Sequence, residues 1–391
     1  MKEGWEIIQL GDLCDVLDHK RKPITKRDRV AGIYPYYGAT GVLDYVNGYL
    51  FDEKLVLVGE DGAKWGSGES TAYAVEGKIW VNNHAHVLRP IRRKVVDNWL
   101  IYFLNFSNLS EFVSGLTVPK LNQGNLREIP IPIPPLPEQE RIVHILDEAF
   151  EGIAKAKVHA EKNLRNTRAL FESYLDGVFS QRGEGWEEKL LGDEELLEII
   201  DGDRGVNYPK ISDFHDDGDC LFMNTKNVRP NGFDFETTMF ITKEKDKQLR
   251  KGKLKRDDIV LTTRGTIGNI GLYSEDVPFE NIRINSGMLI FRPNKQAILP
   301  SFLFELFRSK IMKEQIKKHT SGAAQPQLPI KTLVNFSIPI PKNLEDQLFL
   351  VKRIRTFEPE TKNLETIYNR KVAALEELKK SLLGKAFSGE L

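Results

Sequence analysis

The sequence predicts an α+β fold: two mixed α/β domains separated by two long helices that pair as an antiparallel coiled coil, the whole forming a pseudo-two-fold internal repeat. Two observations predict it: a 3.5-residue apolar seam that occurs twice, and short motifs that recur at a nearly constant offset. A third is the texture between the helices, where short apolar runs end in Gly or Pro turns, as strands do.

The first helix is expected from Leu136 to about residue 181. It follows the rigid run Ile129 to Pro135, and Pro137 in its first turn sacrifices no helical hydrogen bond. Glu138 and Glu140 suit the positive end of the helix dipole. Counting 4 and 3 from Ile142 gives Leu146, Ala149, Ile153, Ala156, Ala160, Asn163, Thr167, Leu170 and Tyr174. The same count from Leu350 gives Ile354, Phe357, Thr361, Leu364, Tyr368, Lys371, Leu375, Leu378 and Leu382, each 208 residues on. Pro359 breaks the pattern, and a kink or a helix start is expected there. A helix of this length is roughly 60–70 Å long.

The repeat extends beyond the helices. Gly4-Trp-Glu-Ile-Ile-Gln-Leu-Gly-Asp12 recurs at 185–193, and Leu57-Val-Gly-Glu-Asp-Gly62 matches Val260-Leu-Thr-Thr-Arg-Gly265 as a buried strand with a Gly turn. Residues 81–90 match 284–293, each expected as a strand ending in Arg-Pro, with Asn82 over Asn285. Helical stretches are expected at Trp99–Phe112 and Ser301–Lys318, before the Ile-Pro-Ile-Pro motifs at 131 and 338. The resulting division is 1–135, 136–181, 182–343 and 344–391. Antiparallel pairing would set the two domains at opposite ends of the rod. Double-stranded DNA repeats about every 34 Å, so such domains could reach separate half-sites.

Composition narrows the class. Lys and Arg balance Asp and Glu at 56 each, which argues against coating nucleic acid through bulk charge. The charge is segregated instead. Residues 20–29 carry six bases against one acid, residues 243–256 eight against two, and residues 187–219 twelve acids against three bases. Cys14 and Cys220 are too few for a disulfide framework or a cysteine zinc site and are read as free thiols. No membrane-spanning run or signal peptide is evident, so a cytoplasmic protein is expected.

The order of variable domain and conserved helix, taken twice, resembles the specificity (S) subunit of type I restriction-modification systems. The residues carrying the resemblance are Ile131-Pro-Ile-Pro-Pro-Leu-Pro-Glu-Gln139 running into Ile142 and Leu146, and Ile338-Pro-Ile-Pro341 with Glu345-Asp-Gln347. Residues 35–41, 59–62 and 80–84 look like one class of target recognition domain, and residues 257–268 like another. The second half departs from the pattern, with Pro341-Lys-Asn-Leu344 where the first has Pro-Leu-Pro. The resemblance implies a non-catalytic subunit that binds double-stranded DNA, reads a split, asymmetric target, and scaffolds two modification (methyltransferase) subunits and restriction subunits. It further implies adenine methylation, with S-adenosylmethionine, ATP and Mg held by those partners and no cofactor in this chain.

No G-x-x-x-x-G-K-[ST] loop, G-x-G-x-x-G fingerprint or Asn-Pro-Pro-aromatic motif is present, so methyl transfer would come from a partner. His84 and His86 alternate and could share a face as metal ligands would, but without a third ligand nearby, DNA contact or packing is the better reading. Arg and Lys pair with guanine edges and phosphates, and Asn and Gln with adenine, so the DNA candidates are basic and amide side chains near turns. In the first domain they are Lys20, Arg21, Lys22, Lys26, Arg27, Tyr36, Tyr37, Lys64, Asn82, Asn83 and His84. In the second they are Lys226, Asn227, Arg229, Lys251, Lys253, Arg256, Arg264, Thr266, Asn269, Arg283 and Asn285. Arg264 is the leading choice, set before a Gly turn and matched in the repeat by Asp61. Two rivals stay open: a nuclease or methyltransferase in its own right, and a coiled-coil protein whose heads bind something else, such as carbohydrate.

Overall fold

The computed structural model describes residues 2–115, 117–320 and 326–391. The chain forms two compact units, Met1–Lys162 with Tyr368–Leu391, and Asn163–Ile367. Each holds one head of short strands and helices together with one half of each long helix.

In the first unit, Cys14–Val16, Ala85–Pro90, Leu55–Gly59 and Ala72–Val75 form an antiparallel sheet in that order. Leu55 to Val58 are fully buried, as an uninterrupted apolar run on a central strand requires. Gly41–Val46, Ala31–Gly38, Lys78–Val81 and Phe51–Asp52 form a second sheet whose middle pair is parallel. The second unit repeats this plan. Leu197–Asp201, Met288–Pro293, Ile259–Thr262 and Ile270–Leu272 keep the same order, and Cys220–Met223 pairs in parallel with Ile282–Ile284. Register is kept as well: Val56 faces Leu88 in one head, and Ile259 faces Phe291, each 203 residues on, in the other. Since a one-residue slip would turn every buried side chain outward, equal register means an equal core.

The recurring motifs now have physical roles. Glu6–Gln9 pairs antiparallel with Pro130–Ile133, and Trp186–Leu190 with Ser337–Pro341, so each head is closed by a strand from its beginning laid on its Ile-Pro-Ile-Pro run. The glycine repeated after the first strand of each head permits close approach: a Cβ on Gly192 would lie 2.6 Å from that of Val334, and one on Gly11 3.0 Å from that of Arg127. Gln139 and Gln347, fully buried, fasten each helix start to its head. Gln139 accepts from Val96 N–H and donates to the carbonyls of Lys94 and Pro134, while Gln347 accepts from Leu299 N–H and donates to Ala297 and Pro341. Such an amide satisfies backbone groups that burial would otherwise strand at about 1–3 kcal/mol each.

The long helices run Leu136–Ser180 and Leu344–Ser388. Their pairing is antiparallel. In the first unit, the early half of the central helix lies with the late half of the distal one, where Lys157 pairs with Glu376. In the second unit the halves exchange, with Arg168 on Glu365 and Tyr174 against Phe357 at 4.3 Å. The C-terminal ends dock on the heads through equivalent aromatics, Phe387 on Trp99 at 5.0 Å and Phe179 on Phe302 at 5.5 Å.

Four expectations need correction. The seam leaves strict heptad spacing: Asn163 and Leu170 are exposed, while Leu164 and Phe171 turn inward; in the second helix Leu364, Lys371 and Leu378 are exposed, with Glu365 and Val372 turned inward. A straight α-helix drifts by about 20° per seven residues relative to a 3.5 repeat, so the inward face moves on by one position. Pro359 starts no helix; the distal helix runs through it. The expected strand 81–90 is two elements, Lys78–Val81 and Ala85–Pro90, joined by a turn at Asn82–His84, and the same break occurs at Asn285–Gly287. The expected helical stretch 99–112 ends early, as Asp97–Phe106, and the stretch 301–318 is broken at Ser309 into Pro300–Arg308 and Lys310–His319.

Candidate nucleic-acid interface

One corner is built alike in both heads. It gathers the end of the first sheet strand, the Gly turn after the third, the Asx turn that follows the parallel pair, and the stretch before the Ile-Pro-Ile-Pro run. Asn82 Oδ1 accepts from His84 N–H (2.8 Å), and Asn285 Oδ1 from Gly287 N–H (2.9 Å). Glu60 N–H donates to the His84 carbonyl and Thr263 N–H to that of Gly287. Leu121 N–H reaches the Glu60 carbonyl and Leu328 N–H that of Thr263. An isolated antiparallel bridge joins Asp61 to Lys120 in one head and Arg264 to Gln327 in the other. Gly62 and Gly265, next in sequence, have φ of 69° and 72°, a left-handed conformation that favours glycine.

On this shared backbone the side chains differ. In the first head Arg21 bonds Glu60, pairs with Asp18 at 3.2 Å and donates to the Ala85 carbonyl at 2.8 Å; Lys120 holds the other Glu60 oxygen at 2.8 Å. His86, fully buried, meets Asp18 through Nδ1 at 2.6 Å and the Leu121 carbonyl through Nε2 at 2.7 Å. Burial alone would raise the Asp18 carboxyl, but the His86 hydrogen bond and charge, the Val87 N–H and Arg21 outweigh it and hold it below its ordinary value. Burial likewise opposes Glu60, and Lys120, Arg21 and His86 together bring it down.

Asp18, Glu60 and His86 lie close enough to share a metal ion. The chemistry of the donors argues otherwise, because Arg21 and Lys120 already neutralise the carboxylates and both imidazole nitrogens face acceptors. His84 does not share a face with His86: it sits exposed on the turn, against Asp61.

The sequence candidates divide by accessibility. Exposed in the first head are Lys20, Lys22, Lys26, Arg27, Lys64, Asn83 and His84; in the second, Lys226, Arg229, Lys251, Arg264 and Thr266. Half-buried are Arg21, Tyr37, Lys253, Arg256, Asn269 and Asn285. Four are buried and need correcting as base readers, because their polar atoms are already used inside the head. Tyr36 accepts from Ile24 N–H beneath the Arg29 guanidinium, and Asn82 holds its own turn. Asn227 donates to the Asp234 and Thr237 carbonyls, and Arg283 joins Asp246 to the Lys251 and Leu249 carbonyls. Several half-buried candidates are similarly committed: Lys253 to Asp246, Arg256 to Ser274, Val277 and Glu280, Asn269 to the Val228 carbonyl.

Sequence reasoning missed Asp18, Glu60, Lys120, Arg204 and Gln327. The repeat carried the signal: Asp18 and Arg21 recur as Asp201 and Arg204 at an offset of 183, with the same ion pair, and Lys120 and Gln327 precede the matched leucines Leu121 and Leu328. The equal Asx turns give a direct test. Asn82→Ala and Asn285→Ala should each lower stability by about 1–2 kcal/mol in urea denaturation while leaving base preference unchanged, since the lost bonds are internal ones.

The comparisons agree with this architecture. The type I restriction modification DNA specificity domain matches residues 2–161 and 183–380. A Haemophilus influenzae protein described as a type I restriction enzyme specificity subunit is 30% identical over 363 residues, covering 91% of this chain and 88% of the relative. The MjaVIII specificity subunit of Methanocaldococcus jannaschii is 26% identical over 413 residues, covering 100% and 93%. A chain in a solved structure concerned with complex assembly and conformational transition of the type I R-M system superposes with a TM-score of 0.77 at 19% identity, covering 100% of this chain and 99% of that one. Two tandem domain matches, two repeated heads and a pair of antiparallel helices place this chain in the family of type I restriction-modification DNA specificity subunits.

Proposed function

We propose that this specificity subunit reads a two-part, asymmetric sequence in double-stranded DNA, one part with each head, and brings two modification (methyltransferase) subunits, and through the complex the restriction subunits, to that site. Residues 1–135 and 182–343 act as the two target recognition domains, and 136–181 and 344–391 as the spacer helices. The observation that carries the reading is the repeated corner: one backbone in both heads, with Asp61 and Lys120 in one replaced by Arg264 and Gln327 in the other. A shared frame with different polar groups suits two readers of different bases. The candidates for DNA contact are the twelve exposed side chains, with phosphate positioning falling to lysines such as Lys20, Lys22, Lys26 and Lys251. S-adenosylmethionine, ATP and Mg belong to the partner subunits. Among the described residues no helix is long and apolar enough to cross a membrane, in keeping with work on DNA in the cytoplasm of a prokaryote.

Single-molecule sequencing of methylated adenine in the host, with the gene intact and deleted, tests this. Loss of one two-part asymmetric motif on deletion is the expected result. An unchanged methylome in a host that expresses the modification subunits would count against it.

A further inference from the structure

The corner of the second head differs from its twin in charge as well as in residue type. Histidines aside, the first head sets Asp18, Glu60 and Asp61 against Arg21 and Lys120, one excess negative charge bound into a closed network. In the second head Thr263 replaces Glu60, Leu289 replaces His86, and Arg264 and Gln327 replace Asp61 and Lys120. Only Asp201 remains to balance Arg204 and Arg264, and it pairs with Arg204 at 3.2 Å. The network is gone, leaving a recess of about 190 Å³ lined by Arg204, Arg264 and Gln327. Arg264 and Gln327 are both exposed, and the Arg264 guanidinium has no ion pair among the described residues. Because the two residues face each other across an antiparallel bridge, their side chains leave the backbone on the same face.

We propose that Arg264 and Gln327 form the base-reading pair of the second head, with Arg264 forking onto the O6 and N7 acceptors of a guanine and Gln327 reaching the edge of an adjoining base. This rests on the DNA-recognition reading above. The same guanidinium could meet a backbone phosphate, which shares the acceptor chemistry but carries no sequence. The corner favours the base because a fork and an amide side by side offer the two donor patterns that read guanine and adenine in the major groove. Asp203 completes the arrangement from behind: it accepts from the N–H groups of Gly205, Arg250 and Lys251 and so pins the loop that carries Arg204.

The test uses the assembled complex of this subunit with its modification subunits, and a pool of duplexes randomised one position at a time across the methylated motif. Wild type, Arg264→Ala, Arg264→Lys and Gln327→Ala are compared. The expected result for Arg264→Ala is a loss of about tenfold to a hundredfold in discrimination at one guanine in one half of the motif, with the other half unaltered. Arg264→Lys, which keeps the charge without the fork, should relax the same position; it decides the matter if the alanine variant fails to assemble. Gln327→Ala should relax a neighbouring position. Equal weakening on every sequence would make Arg264 a phosphate contact and overturn the proposal, as would an unchanged preference. A wild-type complex with no two-part preference would instead fail the DNA-recognition reading, and this pair with it.

Discussion

Glu60→Ala lowers the unfolding free energy of the first unit by about 3–5 kcal/mol, because it removes the anion that faces both Arg21 and Lys120 and leaves the Arg21 guanidinium short of a partner in a poorly hydrated corner. The Glu60 side chain is 8% exposed and that of Arg21 13%, so water cannot replace the lost partner at Arg21. Chemical denaturation of the wild type and the variant, followed by tryptophan fluorescence, to which Trp5, Trp65, Trp80 and Trp99 contribute from the first unit, measures the change. A loss below about 1 kcal/mol, the scale of an exposed pair, would mean that the corner is open to solvent. The pH dependence has a definite sign. Glu60 lies below its ordinary 4.5 in the folded state, so its contribution is complete above that value and disappears as the pH falls through the lower folded one.

Arg308→Ala is expected to cost the second unit a similar amount, about 3–5 kcal/mol. Arg308 is 4% exposed and stands between Glu305 at 2.7 Å and Glu358 at 2.8 Å, with Asn231 at 3.1 Å and the rings of Phe171 and Phe304 about its guanidinium. Its removal leaves two carboxylates facing a void. The two acids titrate differently. Burial pushes Glu305 up to about 7, despite the opposing pull of Arg308, while Glu358, also opposed by burial, is brought below its ordinary value by Arg308 and Lys362. Since the folded state holds the Glu305 proton more tightly than the unfolded chain, stability from this group is complete below about 4.5 and is lost as the pH rises through about 7. The shift corresponds to about 3 kcal/mol across that interval. Urea unfolding of wild type and Glu305→Gln at pH 5, 6, 7 and 8 should show the wild type losing that stability relative to the variant. Parallel profiles would remove Glu305 as the titrating group. Glu358 acts only below its ordinary value, outside this window.

Periodicity and the repeat made most of the architecture legible. Helix ends at Leu136 and Leu344, the antiparallel pairing, and the equivalence of Asp61 with Arg264 were all readable, because they depend on local signals or on comparing the chain with itself. Seam positions were less so: Asn163 and Leu170 follow a heptad on paper, but a straight helix turns them outward. The candidate site was half legible. Residue type identified Arg264, Lys64 and Lys226, which are exposed, as readily as Arg283 and Asn227, which are buried.

The sequence by itself determined that the chain is duplicated, where its long helices run, and that its two heads share a frame while differing at the tips. These are properties of order and spacing along the chain. Tertiary structure alone decided which polar side chains are available, because Arg21, Asp18, Glu60, His86 and Lys120 come from four separate segments and meet only when the sheet brings strand ends together. In the twin corner Thr263, Arg264, Leu289 and Gln327 stand where Glu60, Asp61, His86 and Lys120 do in the first, and the network is absent. A charge becomes structural or available according to its neighbours in space. That is why Arg21 is held inside its head while Arg264, at the position that Asp61 takes in the first corner, faces outward.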